Sequence, residues 1–166
     1  MSLEEKAKTD YPFGETGRGQ DFYNFIAKEL IPFVDQNYRT EPNDRALLGW
    51  SLSGFFALYA MLQQPHLFKR IIAVSPGGGS SSFLINAEKQ YARENTSLPS
   101  KLFIAAEATK ISINAQQWLG ELQHFVQVIE QRNYDGLEAK LQIFEGENHG
   151  SVTAVGTMRG LREVYS

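Results

Sequence analysis

The sequence predicts an α/β fold, a three-layer sandwich with a mostly parallel sheet. Four short apolar runs of strand length punctuate the chain: the run led by Ala46-Leu47-Leu48, then FKRIIAV from Phe68, KLFIAA from Lys101 and EAKLQIF from Glu138. Segments of helical spacing lie between them, and strands alternating with helices pair in parallel through right-handed crossovers. Size sets the third constraint. A chain of 166 residues, 42% hydrophobic and 12% aromatic, can bury one core, so a single domain is expected over 20–166, preceded by a polar arm over 1–19.

Composition narrows the classes of partner. A net charge of -3 without a basic run gives no electrostatic reason to expect nucleic acid or an anionic membrane as partner. With no cysteine there is no disulfide, no thiol nucleophile and no thiolate metal site. The opening Met1-Ser2-Leu3-Glu4-Glu5-Lys6 is charged and lacks the apolar centre of a signal peptide, and no apolar run approaches membrane-spanning length. The sequence predicts a soluble cytoplasmic chain, with a periplasmic location left open if N-terminal residues are missing.

The elements follow in order. Pro12, Gly14, Gly17 and Gly19 mark the opening stretch as a loop. Phe22, Phe25, Ile26, Leu30, Phe33 and Val34 then recur at spacings of three and four, the pattern of an amphipathic helix, with Pro32 predicting a kink or break near Ile31. Asn43-Asp44 is turn chemistry ahead of the first strand. An apolar helix follows that strand at once and ends at Gln63-Gln64-Pro65-His66. The second strand stops at Ser75, where a glycine-serine run to Ser82 reads as a mobile loop; it lacks the lysine of a phosphate-binding P-loop. Weak helical character from Phe83 to Ala92 precedes the third strand. Trp118, Leu122, Phe125, Val126 and Ile129 share one face of a long helix, Asn133-Tyr134-Asp135-Gly136 turns the chain into the fourth strand, and an amphipathic segment from Val152 to Tyr165 closes it.

Between the first strand and its helix stands Gly49-Trp50-Ser51-Leu52-Ser53-Gly54. A serine on a sharp strand-to-helix turn is pushed clear of the backbone, while small neighbours let strand and helix approach closely. Gly49 precedes Ser51 by two, but Ser53 occupies the position where the G-x-S-x-G pattern has glycine, and Gly54 comes one place later. A turn that merely joins a buried strand to a buried helix is the alternative at this point. In parallel sheets ligands gather at the carboxyl ends of the strands. The residues there are Ser51, Ser75, Glu107 and His149, which include a nucleophile, an acid and a base in the chain order of α/β-hydrolases.

From about Gly19 to the end, the chain resembles the putative-esterase family of α/β-hydrolases, the group that includes esterase D-like enzymes and trilactone esterases acting on enterobactin-type siderophores. The resemblance lies in DFYNFIAKELIPFVDQNYRTEPNDRALLGWSLSGFFALYAMLQQPHLFKRIIAVSP and in the closing FEGENHGSVTAVGTMRGLREVY. It implies a carboxylic ester hydrolase acting on a small-molecule ester without a cofactor, with Ser51 as nucleophile, His149 as general base and the Leu52 backbone N–H as one oxyanion donor. Glu107 is the candidate acid that orients the imidazole. A serine–histidine dyad stays open beside it, because Ala105-Ala106-Glu107-Ala108-Thr109 departs from the glycine-bearing segment expected there. Trp50 stands where relatives often carry histidine; it is a candidate substrate-binding residue, with packing beside the turn as the competing role. His66 and His124 have no partner at metal-ligand spacing and read as packing or surface residues, and no metal is expected. Phe55, Phe56 and Tyr59 read as core contacts.

Complete α/β-hydrolases carry further strands before the serine strand, and a loop after one of them supplies the second oxyanion N–H. This chain has only a helix and a polar arm before Arg45, so it resembles the C-terminal part of the fold without its N-terminal strands. The first strand would then lie at an open sheet edge, which predicts a homo-oligomer through that edge or rebuilding of the missing layer by the arm. A truncated hydrolase kept as a non-catalytic binding or assembly module is the alternative function.

Overall fold

The computed structural model describes residues 17–77, 81–108 and 113–166. They fall into two units, divided between Pro42 and Asn43.

The first unit is helical. α1 spans Gly19–Phe25, a π-helical stretch follows over Ile26–Leu30, and α2 spans Ile31–Asn37. The helix therefore starts earlier than its apolar spacing indicates, and it does not break at Pro32. Proline cannot donate to the carbonyl four residues back, and its ring collides with that carbonyl. The wide π turn just ahead of Pro32 accommodates both, so the chain stays helical. Only Gly17 and Arg18 of the predicted arm precede α1 among the described residues; 1–16 lie outside them.

The second unit holds a four-stranded, wholly parallel sheet: β1 (Ala46–Trp50), β2 (Arg70–Val74), β3 (Lys101–Glu107) and β4 (Glu138–Phe144), side by side in chain order. α3 (Leu52–Met61), α4 (Ser81–Tyr91) and α5 (Ile113–Arg132) connect successive strands, and α6 (Val152–Val164) follows β4. Ser81 and Ser82, read from sequence as loop, form the first turn of α4.

Register assigns the two faces. Ile72 pairs with Phe103 and Val74 with Ala105, and these four join Val152 and Val164 of α6 in one buried cluster. A Cβ on Gly156 would lie 2.7 Å from Ala105 Cβ, and one on Gly160 would lie 2.5 Å from Ile72 Cγ2. Two glycines a helical turn apart thus let α6 lie directly on β2 and β3. Gly49 points to the opposite face, where a Cβ would stand 2.1 Å from the Ser53 carbonyl oxygen; α3 covers that face. Helices on both sides of a parallel sheet make the three-layer α/β architecture. α3 buries its small and aliphatic residues, Ala57, Leu58, Ala60 and Met61, while Phe55 and Tyr59 are half-buried against Phe83 of α4.

Two polar clusters tie the layers together. Glu88 of α4 is fully buried and accepts from Arg132 Nε at 2.7 Å and from the Tyr134 hydroxyl at 2.9 Å. Burial, with Glu88 alongside, pushes the Tyr134 phenol well above its ordinary value. Arg70 donates to both carboxylate oxygens of Asp44, at 2.7 and 2.9 Å, and to the carbonyl of Val164, with its guanidinium 4.4 Å from the centre of the Tyr165 ring. That hydrogen-bonded guanidinium holds the Asp44 carboxyl below its usual value. No helix among the described residues is long and apolar enough to cross a membrane.

Candidate active site

The carboxyl ends of all four strands lie along one rim, and the candidate residues meet there. Ser51 links β1 to α3 with φ 56° and ψ -121°, a conformation that side chains rarely adopt. Its N–H donates to Val74 O at 3.0 Å, and its carbonyl accepts from Phe55 N–H at 3.0 Å and Gly77 N–H at 3.1 Å, so the turn is held on both sides. Ser53, at the glycine position, is accommodated by folding back: its hydroxyl accepts from Trp50 N–H at 2.9 Å and donates to Trp50 O at 2.7 Å. Close approach is supplied by Gly49 and by Gly54, where a Cβ would meet Gly49 O at 3.0 Å and Val74 O at 3.1 Å.

His149 Nε2 lies 3.0 Å from Ser51 Oγ. The imidazole stands on the turn between β4 and α6. Asn148 Oδ1 accepts from the N–H groups of Gly150 and Ser151 at 2.9 and 3.0 Å, and Ser151 Oγ accepts from Asn148 N–H and donates to the Glu147 carboxylate. The Trp50 indole N–H donates to the His149 carbonyl at 2.9 Å, and the two rings stand 5.1 Å apart at 35°. Trp50 is 40% exposed, so one part of the indole grips the histidine loop while another meets solvent.

Behind the imidazole is a buried polar pair. Glu107, the last residue of β3, is 5% exposed, and its Oε1 lies 3.3 Å from His149 Nδ1. Ser75, immediately after β2, lies closer to both: its hydroxyl donates to Glu107 Oε1 at 2.9 Å, and its oxygen is 2.7 Å from His149 Nδ1. Among the described residues, Glu107 Oε2 has no hydrogen-bond partner although it is buried.

Thus Ser51, His149, Glu107 and Trp50 come together. The Leu52 N–H sits at the first position of α3, where helical N–H groups have no acceptor within the helix. Ser75 stands at the strand end as the sequence places it, but its contacts with Glu107 and His149 are what sequence reading misses: it is fully buried rather than part of a mobile loop, and its N–H donates to Ala105 O at 2.7 Å. Pro76 O likewise accepts from the Trp118 indole at 2.7 Å; 78–80 of that run lie outside the described residues. The signal available in the sequence was its position, a hydroxyl residue ending the strand next to β1. His66 lies away from this rim, 2.6 Å from the Tyr91 hydroxyl, with burial pushing its pKa down, and His124 is exposed on α5.

The family model described as putative esterase matches residues 2–148. Ferri-bacillibactin esterase BesA of Bacillus subtilis is 27% identical over 157 residues, covering 89% of this chain and 52% of BesA. The chain therefore spans about half the length of this curated relative. Among solved structures, the BES protein from Bacillus cereus superposes with a TM-score of 0.78 at 23% identity, over 99% of this chain and 64% of that one. An IroE-like serine hydrolase from Shewanella oneidensis gives 0.75 at 23% identity, over 89% and 48%. The siderophore hydrolase EstB from Aspergillus nidulans gives 0.73 at 22%, over 92% and 59%.

Proposed function

The chain belongs to the putative esterase family, and from that premise we propose that it is a serine hydrolase cleaving carboxylic esters through an acyl-enzyme. The observation that carries the reading is the 3.0 Å approach of His149 Nε2 to the hydroxyl of Ser51 on its strained turn. A serine hydroxyl is a weak nucleophile until a base takes its proton. In the proposed step Ser51 Oγ attacks the ester carbonyl as its proton passes to Nε2, and the imidazolium then returns that proton to the leaving alcohol. Glu107, 3.3 Å from Nδ1, favours the imidazolium electrostatically. The Leu52 N–H, at a helix N-terminus, donates to the developing oxyanion. Water repeats the sequence to release the acid.

The names of BesA and EstB, an esterase of ferri-bacillibactin and a siderophore hydrolase, support a siderophore-type ester as the substrate class, with the exposed part of Trp50 bordering it. The test is turnover of p-nitrophenyl acetate and butyrate by this chain and by Ser51→Ala. The expected result is hydrolysis that falls by roughly 10⁴–10⁶ in kcat in the variant; equal turnover by the two would refute the assignment.

The proposal extends to assembly. β1 is the edge strand among the described residues, and its Leu48 and Trp50 are 42% and 40% exposed on the face that carries fully buried Ile72 and Val74 one strand away. A parallel strand is ordinarily covered on both faces. Pairing of two copies through this edge would satisfy the outward N–H and C=O groups of β1 and set the apolar side chains of the two edge strands beside each other.

A further inference from the structure

We propose that Ser75 is a positioning residue that fixes the tautomer of His149 and couples the imidazole to Glu107; its kinetic consequence rests on the ester-hydrolase reading of the same site. An ionised Glu107 can only accept hydrogen bonds, so the proton of the Ser75 hydroxyl, 2.9 Å from Oε1, points at the carboxylate. The Ser75 oxygen then has only lone pairs to offer to its other neighbour, His149 Nδ1 at 2.7 Å. That nitrogen must bring the proton. With the proton on Nδ1, the lone pair of the neutral ring is on Nε2, facing the Ser51 hydroxyl at 3.0 Å, which is the tautomer a general base requires. The direct path from Nδ1 to Oε1, at 3.3 Å, is longer than either leg through Ser75.

Backbone and burial support the same role. Ser75 has φ 43°, in the left-handed region where glycine is the unstrained choice, although the chain places glycine at 77, 78 and 79. It is also fully buried, where a hydroxyl without partners would be costly. A strained, buried serine whose hydroxyl meets two candidate catalytic groups is held there for that hydroxyl. During acylation the Ser51 proton moves to Nε2. The Nδ1 proton stays on the ring, bonded to Ser75, and no proton passes on to Glu107.

Ser75→Gly removes the hydroxyl and suits the positive φ, and Ser75→Cys keeps the volume with only a weak hydrogen-bonding group. Nitrogen-15 NMR of the histidine rings in the full chain, with His149→Gln identifying the signal, reads the Nδ1 proton without needing turnover. The wild type should show a strongly deshielded Nδ1–H that both variants lose. On p-nitrophenyl acetate, kcat/KM should fall roughly 10- to 100-fold through kcat, with KM unchanged. In a Glu107→Gln background Ser75→Gly should add little further loss, because the two act as one unit. A wild-type Nδ1–H signal in folded Ser75→Gly overturns the proposal whatever the turnover, and so do additive losses. Should the wild type hydrolyse no ester while the signal still depends on Ser75, the esterase reading falls and the role of Ser75 stands.

Discussion

Trp50 grips His149 through the main chain, with its indole N–H on the His149 carbonyl and its ring against the imidazole. A hydrogen bond of this kind contributes about 0.5–1.5 kcal/mol net, so it biases the loop toward alignment rather than creating it. Trp50→Phe keeps a ring and loses the donor; kcat/KM on p-nitrophenyl acetate should drop roughly 2- to 10-fold, with Ser51 still reactive. An unchanged rate in steady-state kinetics would show that the loop is held by Asn148 and Ser151 alone. Ser51, Glu107 and His149 were legible as candidates because each follows an apolar run and their order is informative. The contacts of Ser75 and Trp50 were not, since they join residues 74 and 99 positions apart that only strand register brings together. The serine at position 53 also looked like a departure from pattern, and its hydroxyl, closed onto the Trp50 backbone, explains how the turn tolerates it.

Helix α6 has a pair of glycines on its buried side, and they set how near it lies to the sheet. The Cβ of Gly160→Ala would stand 2.5 Å from Ile72 Cγ2 and 3.0 Å from Phe103 Cδ1, against fully buried side chains. Overpacking of this kind costs about 1–3 kcal/mol, and urea unfolding of Gly160→Ala should show a loss in that range. Stability equal to wild type would mean the helix can lift off the sheet freely. At this scale the sequence was a good guide to strands: β4 runs from Glu138 to Phe144 as its composition indicates, and β3 extends one residue further, through Glu107. Helix ends were less legible. α5 begins at Ile113, before the first of the apolar residues that mark its face, and Pro32 signals a break that the π turn averts. Apolar spacing reports the buried stripe of a helix, whereas its ends and irregular turns are set by hydrogen bonds to backbone that carries no such stripe.

The parallel order, the two covering layers and the strand-end rim followed from the alternation of runs along the whole chain, and among the described residues β1 is an edge strand of the sheet. If that edge pairs two copies, sedimentation of the wild type should show a concentration-dependent dimer, and Leu48→Lys, a charge placed on the edge strand, should shift it toward monomer. A wild type that sediments as monomer throughout would remove the edge as a self-association surface. The site itself does not depend on that outcome, because its hydrogen-bonded residues come from the unit that begins at Asn43. The most direct measurement of its chemistry is covalent labelling by a fluorophosphonate probe followed by peptide mass spectrometry. An activated Ser51 should carry the probe in the wild type, carry it far more slowly in His149→Gln, and leave Ser51→Ala unlabelled. An unlabelled Ser51 in folded wild-type protein would contradict the account.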